Sequence, residues 1–330
     1  MRMVVVPRLG GPEVLTLIEA PKPAPQPDQV LVKLKYATMT YGDVYLREGV
    51  YRAGAPLKEG EGPLKIGGEG AGTVAAVGAD VKHVKEGDEV IYCETPGSYA
   101  EYAAPQGFRV VKLPKSVSLE DASSGISQGG TAHYLSHDTC RLQAGMTCLI
   151  HAAAGGVGHI LLQFAKMRGA QVLATVGSAE KAKFVQGLGA DRVIQYNSED
   201  FLEVAKAWGD KKGLDAVYDS VGKATIKKSI QAVRHRGTCV LYGNSSGLVD
   251  SIAPMELSAT GSIYFTRPRL AHHIRTGEEI QRRAGDLFNA MLAGKMKVAL
   301  AKIFPLAQAA EAHKLLQSRQ TIGKILLSLE

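Results

Sequence analysis

Two rhythms of apolar and polar positions divide the chain. Up to about residue 123, short runs alternate between the two. "QVLVKLKYATMT" (29–40) predicts a half-buried strand, and "GGEGAGTVAAVG" and "GDEVIYC" predict short strands between glycine turns. Prolines at 21, 23, 25 and 27 make "APKPAPQPD" a stiff, extended connector. From about residue 124 the strand-like runs "TCLIHAA", "QVLATVG", "DRVIQY", "DAVYDSVG", "GTCVLYG" and "GSIYFT" recur, mostly with helical segments between them. That alternation predicts a parallel sheet covered on both faces. The segment from Gly158 to Arg168 is apolar nearly all round, as a helix packed onto a sheet should be. After Thr266 come helices and a last strand, "GKILLSL", with no parallel unit of its own. The expected fold is α/β: a β-rich domain over 1–123, a doubly wound parallel sheet over 124–266, and a C-terminal segment, 267–330, returning to the first domain.

Composition narrows the class without naming an activity. At 330 residues, 22% charged and 45% hydrophobic, the chain suits a soluble protein of about two domains. No apolar run approaches the roughly 20 residues of a membrane span. "MRMVVVPRLGGPEVL" lacks both the apolar stretch of a signal peptide and a transit pattern, so the cytosol is the expected location. Cys93, Cys140, Cys148 and Cys239 form no CxxC pair and read as small buried hydrophobes rather than a zinc lobe. The net charge of +7 is spread among acids. By itself it favours a solvated basic surface over the sharper alternative, attraction for an anionic cofactor or for nucleic acid.

The stretch "HAAAGGVG" (151–158) changes the picture. Gly155 and Gly158 take the second and third glycine positions of GxGxxG, while Ala153 replaces the first. The second glycine admits a pyrophosphate close to the backbone, and the third lets the helix approach the strand. An acid that would hold an NAD ribose is due about 20 residues on. The chain there reads "ATVGSAEKAK". Gly177 leaves space, Ser178 offers a hydroxyl, and Lys181 offers a cation to a 2′-phosphate, although Lys181 is also an ordinary surface helix residue. NADPH is the expected cofactor.

Together "GGPEVL" (10–15), "DVYLREGVY" (43–51), "HAAAGGVG", "VYDSVG" (217–222), "YGNSSG" (242–247) and "YFTRP" (264–268) make the whole chain resemble zeta-crystallin-like quinone oxidoreductases of the medium-chain dehydrogenase/reductase superfamily. The resemblance implies a GroES-like catalytic domain, a Rossmann domain, and a cofactor in the cleft between them. Zinc-dependent relatives bind metal through a Cys and the His of "GHE"; here stand Thr40 and the "GGE" of Gly67–Glu69, so no metal is expected.

The cofactor site implied by the resemblance has Gly155, Gly156 and Val157 at the pyrophosphate, and Gly177, Ser178, Lys181 and Tyr196 around the adenosine phosphate. Ser220, Asn244 and Ser245 follow strand ends. Phe265, Thr266 and Arg267 line the nicotinamide or ribose together with Thr131, and Arg319 closes over the cofactor. Thr40, Tyr45, Tyr51 and Thr131 are the candidate catalytic residues, with Tyr41 and Asp43 beside them.

The implied activity is NADPH-dependent quinone reduction, associated in the family with one-electron transfer to semiquinone; the residues leave that route and hydride transfer open. The alternatives are alkenal reduction on the same cofactor site and, in another class, binding of single-stranded or AU-rich nucleic acid. A homodimer or homotetramer is implied, with "GTCVLYG" and "GSIYFT" able to pair across a two-fold axis.

Overall fold

The alternation of apolar runs beyond residue 130 folds as six parallel strands, in chain order Thr147–Ile150, Gln171–Val176, Arg192–Gln195, Leu214–Asp219, Val233–Leu241 and Tyr264–Thr266. The computed structural model describes residues 1–52, 57–58, 62–123, 125–208 and 213–329. In space the strands run third, second, first, fourth, fifth, sixth. The direction of winding therefore reverses between the first and fourth strands, and ligands of such sheets bind outside the carboxyl ends at that point. The first and fourth strands are buried throughout, as a sheet covered on both faces requires. The helix Gly158–Met167 buries every residue from Gly158 to Ala165.

The other strands form a unit of their own. Its larger sheet runs in space Leu300–Pro305, Lys324–Ser328, Val30–Met39, Gly70–Val77, Glu89–Tyr92, Val110–Lys112, with Tyr102–Ala103 also paired to Val30–Met39. A second sheet joins Thr16–Glu19, Arg2–Val6 and Leu64–Lys65. Val4, Val32, Met39, Ile66, Val90, Tyr99 and Leu327 belong to the core of this unit.

Three features depart from the sequence pattern. Val30–Met39 is not half-buried: only Lys33 is exposed, because the strand lies inside the sheet with neighbours on both edges. The C-terminal segment does contain a parallel unit. Leu300–Pro305 pairs parallel to Lys324–Ser328, and the helix Ala309–Gln317 connects them. Lys324–Ser328 in turn pairs antiparallel with Val30–Met39. The two compact units divide at Gly130/Thr131 and His273/Ile274, with Lys295–Lys297 also in the second. The first division falls inside the helix Ser127–Tyr134 rather than in a linker; residue 124, the expected boundary, lies outside the described residues. Among the described residues no helix is long and apolar enough to cross a membrane.

The glycine turn shows how tightly sequence and sheet are joined. A Cβ on Gly158 would lie 2.4 Å from the Ala152 carbonyl oxygen and 2.8 Å from the Ala153 Cα. Both obstacles are backbone, so neither can swing aside. Gly158→Ala is expected to cost about 1–3 kcal/mol through overpacking, read as a lower urea midpoint at unchanged slope.

Candidate active and cofactor site

At the switch point of the parallel sheet the strand ends are fixed by buried polar groups. Asp219, wholly buried, accepts from the amides of Val221 (2.8 Å) and Gly222 (2.9 Å) and from the hydroxyls of Thr225 (2.7 Å) and Ser229 (2.6 Å). Because Ser229 spends its proton on Asp219, its oxygen accepts from Nε2 of His151 at 3.0 Å. Nδ1 of His151 then accepts from the Thr175 hydroxyl at 3.0 Å. Burial pushes the His151 pKa down, which keeps the ring neutral in that tautomer.

Above this network the turn follows. Ala152 adopts a left-handed conformation (φ 49°), and Gly155, Gly156 and Val157 stay half-buried. Gly156 and Val157 stand immediately before the helix Gly158–Met167, at the start of a helix, where the first N–H groups have no intrahelical partner. Such amides, with the helix dipole behind them, fit a pyrophosphate.

At the end of the second strand, a Cβ on Gly177 would lie 2.4 Å from the Tyr196 hydroxyl oxygen. Gly177 therefore gives up its side chain to Tyr196, which remains 52% exposed. Ser178 caps the helix Ala179–Gly187 by accepting from the Lys181 amide at 3.3 Å. Partial burial lowers the Lys181 pKa, with Glu180 opposing the shift.

Ser220 and Ser245 meet through the backbone, the Ser245 amide donating to the Ser220 carbonyl at 3.2 Å. With its amide turned to satisfy its neighbours, Asn244 donates to the Gly243 carbonyl at 3.0 Å and accepts from Nη2 of Arg267 at 3.2 Å. Phe265 packs against the apolar core, whereas Thr266 is half-buried and Arg267 exposed. Thr131 is half-buried on the helix Ser127–Tyr134. The expected dinucleotide residues of the second unit thus cluster at its strand ends.

In the first unit, the helix Tyr41–Arg47 carries Tyr41, Asp43 and Tyr45, with Thr40 at its N-cap and Tyr51 on the following turn, Val50–Arg52. Tyr45 stacks edge-on against Tyr51 at 5.8 Å and tilts against Tyr41 at 5.9 Å. Arg319, left-handed at φ 59°, hydrogen bonds to Tyr41. A Cβ on Gly42 would sit 3.2 Å from Thr40 Oγ1 and 3.9 Å from the Tyr51 hydroxyl, so those two oxygens flank that glycine.

Behind Thr40 lies a network that the sequence did not disclose. Oδ2 of Asp43 accepts from the Thr40 amide (2.8 Å) and the Thr40 hydroxyl (3.0 Å), and the Gly67 amide and Tyr99 hydroxyl complete its shell. Tyr99 meets His313 Nε2 at 3.2 Å, and His313 Nδ1 meets Arg47 Nη1 at 2.7 Å. The spacing of Thr40 and Asp43 is that of a helix capping box, a local signal; Tyr99 and His313 give none.

The two units define a two-domain α/β oxidoreductase, a GroES-like β-unit with a Rossmann sheet. The chain matches the family models for the alcohol dehydrogenase GroES-like domain over residues 26–143 and for zinc-binding dehydrogenase over residues 156–288. It is 39% identical to a 2-haloacrylate reductase from Burkholderia sp., over 98% of this chain and 97% of that one. It is 38% identical to quinone oxidoreductase 1 from Escherichia coli K12, over 96% of each. The solved structure of Escherichia coli quinone oxidoreductase complexed with NADPH superposes with a TM-score of 0.94 at 36% identity, covering 99% of this chain and all of that one. The chain belongs to the zinc-free quinone oxidoreductase branch of the medium-chain dehydrogenase/reductase superfamily.

The residue after the missing metal ligand retains a distinct role. Glu69 is 1% exposed; its Oε1 accepts from the amides of Ile126 (2.9 Å) and Ser127 (2.8 Å), while among the described residues Oε2 has no partner at hydrogen-bond geometry. The neighbouring Thr38 hydroxyl donates to the Ser123 carbonyl. Burial raises the Glu69 pKa from 4.5 to about 7, against the two amides and the Thr38 and Ser127 hydroxyls. A protonated Oε2 can donate to Thr38, which satisfies the orphaned oxygen. The folded pKa exceeds the unfolded one, so the neutral form's contribution to stability is full below pH 4.5 and lost as pH rises through about 7. Glu69→Gln mimics the neutral acid at every pH. It is expected to exceed the parent's stability by roughly 3 kcal/mol at alkaline pH, with the gap closing towards pH 4.5 in paired denaturant titrations.

Proposed function

We propose that this chain reduces quinones with NADPH. The observation that carries the reading is the end of the second Rossmann strand, where Gly177 makes way for Tyr196 and Lys181 follows on the capped helix. An acidic side chain there would repel a 2′-phosphate; a lysine and two hydroxyls receive it. The amides of Gly156 and Val157 suit the pyrophosphate, and Asn244, held by Arg267, sits at the end of the fifth strand. When bound, NADPH supplies the reducing equivalents. The chain's own work is to bind and orient. Tyr45 and Tyr51 offer flat apolar faces for an aromatic ring, and the hydroxyls of Thr40 and Tyr51 lie close enough together to address its carbonyl oxygens.

The likeness to a 2-haloacrylate reductase supports a second reading, reduction of an activated alkene at the same site. A panel of quinones and 2-alkenals separates the two by kcat/KM. For assembly we propose a homodimer through the sixth strand, Tyr264–Thr266, which ends the sheet and leaves Tyr264 65% exposed.

The NADPH reading predicts a higher kcat/KM with NADPH than with NADH; equal or better use of NADH would refute it. Lys181→Ala is expected to raise KM for NADPH about tenfold, the loss of one charge-assisted contact, and to leave KM for NADH unmoved. Gly177→Asp is expected to reverse the preference, since it displaces Tyr196 and adds a charge that repels the phosphate.

A further inference from the structure

The chain of polar groups behind Thr40 has a direction, and one residue sets it. The Arg47 guanidinium can only donate. His313 Nδ1, 2.7 Å away, therefore accepts, and the imidazole proton lies on Nε2. Burial and the adjacent Arg47 hold the His313 pKa down to about 3, so the ring takes no second proton. His313 Nε2–H donates to Tyr99, and the Tyr99 hydroxyl donates to Asp43. The path is closed at its inner end: no group there can pass a proton to Asp43 and be refilled. Its outer end is Thr40, half-buried, whose hydroxyl meets Asp43 Oδ2 at 3.0 Å.

Asp43 is 5% exposed, and desolvation raises its pKa from 3.8 to about 6 in spite of the donors from Thr40, Gly67 and Tyr99. The charged groups facing this path are Arg47 on its own helix, Glu48 at that helix's C-cap and Glu13 from the turn Pro12–Val14; Tyr99 reaches it from the segment before Tyr102–Ala103, and His313 from the helix Ala309–Gln317. The pair has two self-consistent states. With Asp43 ionised, the Thr40 proton points inward. With Asp43 protonated, Asp43 donates to Thr40 Oγ1 and the Thr40 proton points outward.

We propose that Asp43 and Thr40 form a one-exit proton relay that delivers the proton consumed when the reduced substrate's oxygen becomes a hydroxyl. The proposal rests on the quinone reading. Reduction of a quinone to a hydroquinone by the hydride route takes a hydride from NADPH, which carries two electrons and one proton, and then one further proton. In the relay the Thr40 O–H bond breaks as an O–H bond forms on the substrate oxygen. The Asp43 proton moves to Thr40, and solvent restores it through Thr40 once the product has left. Thr40 is the catalytic residue of this step; Asp43 acts through it as a positioning and supplying residue.

The test uses the full-length protein, NADPH and a 1,2-quinone. For the parent chain, kcat is expected to fall as pH rises through about 6, and in a Glu69→Gln background, which removes the other buried acid, a protonated-carboxyl band in the infrared spectrum is expected to vanish over the same range. Asp43→Asn, whose carboxamide oxygen still accepts from the Thr40 amide, is expected to lose that band, flatten the pH profile and lower kcat about 100-fold, the lower end of general-acid effects. Thr40→Ala is expected to lose a similar factor and keep the band, and Thr40→Ser to recover most of the loss. NADPH affinity, read from cofactor fluorescence, is expected to be unchanged throughout. A folded Asp43→Asn or Thr40→Ala variant with the parent's kcat and pH profile overturns the relay alone. A parent chain that oxidises NADPH with no quinone overturns the functional reading and the relay with it.

Discussion

Arg47 is a guanidinium with no exposed side-chain surface, held by Glu48 Oε1 at 2.5 Å, the Gly10 carbonyl at 2.9 Å, Gln317 at 3.0 Å and His313 at 2.7 Å. Burying such a charge without these partners would cost several kcal/mol, so each of them is held in place by the others. Through Gln317 and His313 it ties the helix Tyr41–Arg47 to the helix Ala309–Gln317, segments far apart in sequence. The same donor fixes the His313 tautomer and, through Tyr99, the orientation of every hydrogen bond up to Thr40. The position of one candidate catalytic hydroxyl thus depends on a residue four hydrogen bonds away.

A second buried carboxylate organises the parallel sheet by different means. Asp219 spends its acceptor capacity on two amides and two hydroxyls of the loop and helix that follow it. Its reach ends in His151, which starts the glycine turn. The turn is therefore anchored below by a neutral histidine and pressed from the side by the Gly158 approach. Asp43 also has a half-buried hydroxyl among its donors, Thr40, as Asp219 has Thr225, but Thr40 stands beside Gly42 and the Tyr51 hydroxyl among the candidate substrate residues.

Much of this was legible in the chain because the signals are local. The six parallel strands follow from short apolar runs between helices, and the turn at 151–158 from glycine spacing. The space at Gly177 was legible too, but not what fills it: Tyr196 arrives from the next strand, and no periodicity announces that contact. Tyr99 and His313 meet across 214 positions of sequence, and Arg47 and His313 across 266. Such pairs are set by how the sheet closes, which a window of residues does not contain. Leu300–Pro305 escaped notice for another reason. Its burial does not alternate cleanly, and it ends in proline, so as an edge strand it carries little of the pattern that marks a strand.

Where zinc-dependent relatives place a cysteine and a histidine, this chain has a hydroxyl and no side chain, with an acid three residues past the first and another just past the second. Two substitutions remove the divalent charge that would polarise a carbonyl and stabilise the oxygen anion that forms on it. An electron-poor quinone needs little polarisation before it accepts electrons, but its oxygen still becomes anionic and must be neutralised. A proton does this as well as a cation, provided it is available at the pH where the enzyme works. A surface carboxyl is ionised there, and a carboxyl buried without donors would be too weak an acid. Asp43 lies between those limits because desolvation and its donors oppose each other. Those donors are in place because Gly67, at φ 87°, lets Tyr99 approach to where a Cβ would lie 2.4 Å from the ring. The loss of the metal ligand at Gly68 and the close packing at Gly67 thus belong to one design, in which a tuned acid takes over the charge compensation that a metal would supply.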